Sequence, residues 1–149
     1  MTDWVIGAVR AAGLEPLLVD DRGAGGVVHP LAGIVAALER VGAPVVVVAC
    51  DVPFVDPDLL RALARTDGAA MVRGNPLIAR YEPHHLPQLR AALEAQAPLR
   101  ATIAALDPLV IEGDVENVNT PEDLARARSI AAAARSRTLP SPPRTPPRR

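Results

Sequence analysis

A 149-residue chain with 49% apolar and 22% charged residues is long enough for one domain with a real core, and its single cysteine excludes a disulfide-stapled scaffold. The formal net charge of -1 is uneven: Ser136 to Arg149 holds four arginines and no acid, leaving a body of 12 arginines against 17 acids, about -5, which argues against nucleic acid as a partner. No signal segment opens the chain, and its longest clearly apolar run, Val45–Cys50, is too short to span a bilayer, so a cytoplasmic protein without a membrane partner is expected.

Thr2 or Asp3 is placed to cap a first helix, in which Trp4, Val5, Ala8, Val9 and Ala12 recur at helical spacing before Gly13 stops it. Pro16–Val19 reads as a strand and the glycine-rich stretch from Asp20 to His29 as a loop. Pro30 opens a second helix through Leu31, Ile34, Val35, Leu38 and Val41, ended by Gly42. Pro44–Cys50, with four consecutive valines, reads as a central strand buried on both faces, with Asp51 at its carboxyl end. Asp56-Pro57 starts a helix carrying Leu59, Leu60 and Leu63.

Ala69–Arg73 and Leu77–Tyr81 are expected as strands around Gly74-Asn75-Pro76. His85–Gln96 and Leu99–Leu106 are expected as helices, Leu109–Ile111 as a short strand, and Thr120-Pro121 as the start of a last helix. Strands alternating with helices imply an α/β layered domain with a mostly parallel sheet over residues 1–135. Residues 136–149, rich in proline and arginine, read as a disordered tail.

Three groups of residues are candidates for chemistry. An aspartate ending a buried strand, as in Cys50-Asp51-Val52-Pro53, suits a divalent metal held over phosphates, or it shapes a turn. Pro30-Leu31-Ala32-Gly33 begins a helix, where free N–H groups attract anionic or polar ligands and Gly33 permits close approach; a proline there also has a purely structural use. Asn117 and Asn119, on alternate residues of an extended segment, offer amides in one direction, or Asn119 shapes the turn into the last helix. His84-His85 lacks the spacing of a metal site, and Ser129 and Ser136 lack a nucleophile elbow.

In order, Pro30-Leu31-Ala32-Gly33, Asp51-Val52-Pro53, Pro76-Leu77-Ile78-Ala79-Arg80-Tyr81 and Asn117-Val118-Asn119-Thr120-Pro121-Glu122-Asp123-Leu124 resemble the molybdenum-cofactor guanylyltransferases. The resemblance runs from about Trp4 to Ile130, and Asn-Val-Asn-Thr-Pro is its most specific motif. It implies a three-layer Rossmann-like nucleotidyltransferase domain that transfers GMP from GTP to molybdopterin with magnesium. It also implies that Asp51 binds the metal, that Asp21 (or Asp20), Pro30, Leu31 and Gly33 lie on the nucleotide side, and that Asn117 and Asn119 lie on the molybdopterin side.

Such proteins open with a strand and a glycine-rich loop ending in Asp-Lys. Neither is found in this sequence, which is lysine-free and has His29 where a glycine is usual. The domain is therefore expected to be incomplete at its N-terminus and to bind GTP·magnesium weakly or not at all. Its sheet is expected to have an exposed edge open to a protein partner or to self-association. A non-catalytic remnant of the same fold, or a related cytidylyl- or sugar-phosphate nucleotidyltransferase, are the alternatives.

Overall fold

The computed structural model describes residues 1–20, 22, 26 and 28–137. Asp21 lies outside them, as does the expected tail from residue 138 onward. The chain falls into two compact units, one from Met1 to Asn117 and one beginning at Val118.

In the first unit, α1 spans Thr2–Ala11, α2 Pro30–Val41, β1 Val45–Val48, α3 Pro57–Arg65, β2 Ala70–Val72 and β3 Asn75–Tyr81. A 3-10 turn at Pro83–His85 leads into α4, Leu86–Glu94, followed by α5, Leu99–Ala104, and β4, Leu109–Ile111. In the second unit α6 spans Pro121–Arg137, so the backbone is helical beyond Ser136.

Several caps follow from sequence. Asp56 accepts a hydrogen bond from the Asp58 N–H at 2.8 Å and Pro57 takes the first turn of α3. Thr120 and Asp123 cap α6 reciprocally, each side chain accepting from the other's N–H at 3.1 Å. Gly42 closes α2 at φ 65°, a left-handed conformation that glycine adopts without steric cost. At α1 the expectation shifts by one or two residues: Met1 is the cap position, no side chain caps the helix, and Thr2 is already helical.

Among the described residues four strands form one mixed sheet in the order β1-β3-β2-β4. β2 and β4 pair in parallel, while β3 pairs antiparallel with both β1 and β2. Three strands thus run in one direction and β3 runs against them. The reversal is the Arg73-Gly74 turn, with Gly74 at φ 73°.

Side chains alternate across this sheet as strand geometry requires. Val46, Val48, Ala70, Val72 and Ile78 pack with Leu59, Leu60 and Leu63 of α3 and with the end of α1. Val45, Val47, Met71, Ala79 and Tyr81 pack with α2, Leu89 of α4 and Ile103 of α5. The first unit is therefore a three-layer α/β/α arrangement, with a separate apolar core on each face of the sheet.

Two expectations are corrected. Pro16–Val19 is not a strand: residues 14–20 are irregular, and a β-propensity run becomes a strand only when its backbone groups find a ladder partner. Among the described residues Val45–Val48 is not central but lies at the edge of the sheet, half-buried, with β3 paired along one side.

Candidate functional site

β1 delivers the chain to its most suggestive turn. Beyond Val48 the Ala49 N–H still donates to the Leu77 carbonyl at 2.9 Å, so the strand's direction holds for one further residue. The chain then turns through Cys50 to Phe54. Val52, Pro53 and Val55 are buried, and the Val55 N–H donates to the Val52 carbonyl at 3.2 Å. These apolar anchors leave Asp51 half-buried, with no hydrogen bond or ion pair to another described residue. Phe54 stacks on Trp4 of α1, ring centroids 5.8 Å apart and planes 23° from parallel, and so ties the turn to the first helix. Sequence reasoning missed that pair, although two of the chain's three Phe, Trp and Tyr residues make it.

The start of α2 is the second component. His29 is extended at φ -147°, and its Nδ1 accepts from the Leu31 N–H at 3.1 Å. An imidazole thus serves as the N-cap, where a shorter side chain is usual. The Leu31 side chain is wholly buried in the core against α2's face of the sheet, so it anchors the turn rather than exposing a surface. Pro30 and Gly33 instead face a cavity of about 870 Å³.

That cavity gathers the first unit's candidates. Asp20, Pro30, Gly33, all of β1 and Ala49–Cys50 line it, and Asp51 is the next residue along the chain. Asp20 is exposed and its Oδ1 accepts from the Arg22 N–H at 3.0 Å. Arg80 of β3 also lines the cavity and was not singled out as a site residue by sequence reasoning. Its guanidinium donates to the Ala64 carbonyl at 2.6 Å and to Glu82 at 2.8 Å. Asn117 is exposed at the end of the first unit; in the second, Asn119 is exposed and its N–H donates to Asp123 at 3.4 Å.

A second, open cavity of about 530 Å³ lies by Gly68, His84, His85 and Asp107. Glu82 organises one side of it, accepting from the Gly68 N–H at 3.0 Å and pairing with His84 at 3.2 Å. The hydrogen bond from Arg80, then that from Gly68, holds Glu82 below its ordinary value. His85 Nδ1 accepts from the Glu82 N–H at 3.0 Å, and burial pushes its pKa down. A histidine held neutral as a backbone acceptor is structural. Among the described residues no three His, Cys, Asp or Glu side chains are grouped to hold a metal.

Residues 3–109 match the MobA-like NTP transferase domain. The chain belongs to that family. A probable molybdenum cofactor guanylyltransferase of Natronomonas pharaonis is 39% identical over 145 aligned residues, covering 81% of this chain and 69% of the relative. Among solved structures, the molybdopterin-guanine dinucleotide biosynthesis protein A of Archaeoglobus fulgidus aligns with a TM-score of 0.62 at 24% identity, covering 88% of this chain and 85% of that one. The 2-C-methyl-D-erythritol 4-phosphate cytidylyltransferase of Thermus thermophilus aligns with a TM-score of 0.59 at 19% identity, covering 87% and 88%. At those identities the structures establish the shared nucleotidyltransferase fold. No helix among the described residues is long and apolar enough to cross a membrane.

Proposed function

We propose that this MobA-like chain is a molybdenum cofactor guanylyltransferase of the cytoplasm, moving GMP from GTP to molybdopterin with release of pyrophosphate. One juxtaposition carries the reading: Asp20, Pro30, Gly33 and the end of β1 share a cavity, and Asp51 follows directly. The Natronomonas relative's name supports the choice of base and acceptor. Asp51 is the proposed metal ligand and Asp21, beside Asp20, the proposed guanine-nucleotide contact. Pro30 and Gly33 close on the nucleotide while Leu31 anchors their turn. Asn117 and Asn119 are assigned to molybdopterin.

The residues present suit magnesium. Asp51 is half-buried and unpartnered among the described residues, and no ready three-ligand cage surrounds it. Magnesium commonly takes one or two carboxylates and completes its shell with phosphate oxygens and water. When bound, it neutralises charge on the phosphates undergoing transfer. In the reaction a pterin phosphate oxygen forms a bond to the α-phosphorus of GTP, the bond to the β-phosphate oxygen breaks, and pyrophosphate leaves. The chain's residues align the two phosphates, and none forms a covalent intermediate.

The test is transfer of labelled GMP to molybdopterin. Asp51→Asn is expected to lower kcat/KM by roughly a hundredfold or more, in keeping with the several kcal/mol a catalytic metal supplies. Unchanged transfer in a folded Asp51→Asn variant sinks the reading. One observation bears on the non-catalytic alternative: these 149 residues hold no lysine side chain to neutralise a triphosphate. Calorimetry separates the two, because weak magnesium-dependent GTP binding that disappears in Asp51→Ala supports the enzyme. Preferential use of CTP would move the assignment to a cytidylyltransferase.

A further inference from the structure

β4 ends at Ile111, and residues 112–117 run on without helix or strand. Gly113, Asp114, Val115 and Asn117 make no hydrogen bond or ion pair to another described residue. Apolar contact holds this segment instead. The Val115 side chain packs on the cluster that contains Val52, Val55, Leu59, Leu60 and Leu63. Val52 and Val55 belong to the turn that carries Asp51, and Leu59 sits in the first turn of α3, directly after it. One apolar cluster thus supports both the Asp51 turn and the segment that ends at Asn117.

Gly113 makes the closest approach in this segment. It is exposed and is not held in the left-handed region, so neither burial nor backbone conformation calls for glycine. The reason stands opposite it. A Cβ on Gly113 would lie 2.8 Å from Leu59 Cδ2 and 2.9 Å from Leu59 Cδ1. Carbon atoms rest about 3.5–4.0 Å apart, so an added methyl would force one partner back by on the order of 1 Å. Both methyls of Leu59 lie inside that limit, so rotating the end of the side chain exchanges one clash for the other. Leu59 is buried in a packed core, whereas the segment opposite has no hydrogen bonds to hold it. The segment is the side that yields.

We propose that Gly113 is a positioning residue. Its missing side chain lets residues 112–117 close on Leu59, and this contact sets where Asn117 stands relative to the Asp51 turn. The inference rests on the guanylyltransferase reading for one thing only, the molybdopterin that Asn117 is assigned to meet. The contact itself does not depend on it. A shift of Asn117 would loosen the acceptor and spare the nucleotide, because Asp20, Pro30 and Gly33 belong to other segments of the chain.

The test compares the wild-type 149-residue protein with three variants. Gly113→Ala introduces the clash, and Gly113→Ala with Leu59→Ala removes the carbons it meets. Asp114→Ala is the control, a neighbour that already carries a Cβ. Urea unfolding confirms that each is folded. In 15N NMR, Gly113→Ala should shift the backbone and side-chain amides of Asn117 far more than Asp114→Ala does, and the double variant should bring them back. In transfer of labelled GMP, Gly113→Ala should raise KM for molybdopterin roughly tenfold while KM for GTP stays within about twofold. The double variant should recover most of that loss. Asn117 signals unmoved in Gly113→Ala, with changes confined to Leu59 and its core neighbours, overturn the proposal. So does a double variant that restores nothing, an equal rise in both KM values, or a Gly113→Ala chain that does not fold. Should the wild type transfer no GMP, the guanylyltransferase reading falls, and the NMR comparison alone decides whether Gly113 positions Asn117.

Discussion

Tyr81 and His85, near the end of β3, show how single side chains fix this fold. Tyr81 is fully buried, its hydroxyl donates to the Pro76 carbonyl at 2.6 Å, and burial pushes its pKa far up. Tyr81→Phe keeps the ring and deletes the donor, so a loss of about 1–2 kcal/mol is expected in urea unfolding, including the cost of an unmet carbonyl. His85 accepts from a backbone N–H and so must stay neutral. Burial first, and the neighbouring His84 next, disfavour its protonated form, while Glu82 opposes them. The folded chain therefore gives up that proton more readily than the unfolded chain, whose histidine keeps the ordinary value of 6.5. His85's contribution is complete above 6.5 and is lost as pH falls from there through the lowered folded value. The urea midpoint of the wild type should drop across that window. His85→Gln, which retains an acceptor, should lack that part of the slope; an identical profile would assign it to other groups.

At the scale of elements, what sequence revealed depended on whether the decisive interaction is local. Asp56-Pro57, Thr120-Pro121 and Gly42 act within one turn, and all three helix ends lie where those residues indicate. Asp56→Ala should therefore cost about 1 kcal/mol, measured by urea unfolding, since the Asp58 N–H loses its acceptor. The β3 reversal was also legible, because glycine at 74 marks the turn. Pro16–Val19 was misread because a strand needs a neighbour, which no propensity can supply. Val45–Val48 was misplaced for the same reason: four valines signal apolar surroundings but not which edge stays open. The motifs around Asp51 and Pro30 could be read from sequence. The contribution of Arg80 to their cavity could not, since it depends on the long-range register that sets Arg80 opposite Val46 of β1.

At the scale of the whole first unit, the sheet works as a partition. Ile78 packs with α3 on one face, and Ile34 of α2 packs on the other, each almost fully buried. Interior packing transmits strain between touching neighbours, but these two residues belong to separate apolar clusters with the backbone of β1 and β3 between them. Ile34→Val and Ile78→Val should each cost about 0.5–1.5 kcal/mol through the lost methyl and the cavity it leaves. If the sheet insulates its faces, the double variant should lose the sum of the two within about 0.5 kcal/mol, as independent sites do. A coupling well beyond that, measured by urea unfolding of all four proteins, would mean that the faces relax together. The open edge at β1 is where such coupling would arise, because a strand paired on one side alone can shift more readily than one held on both.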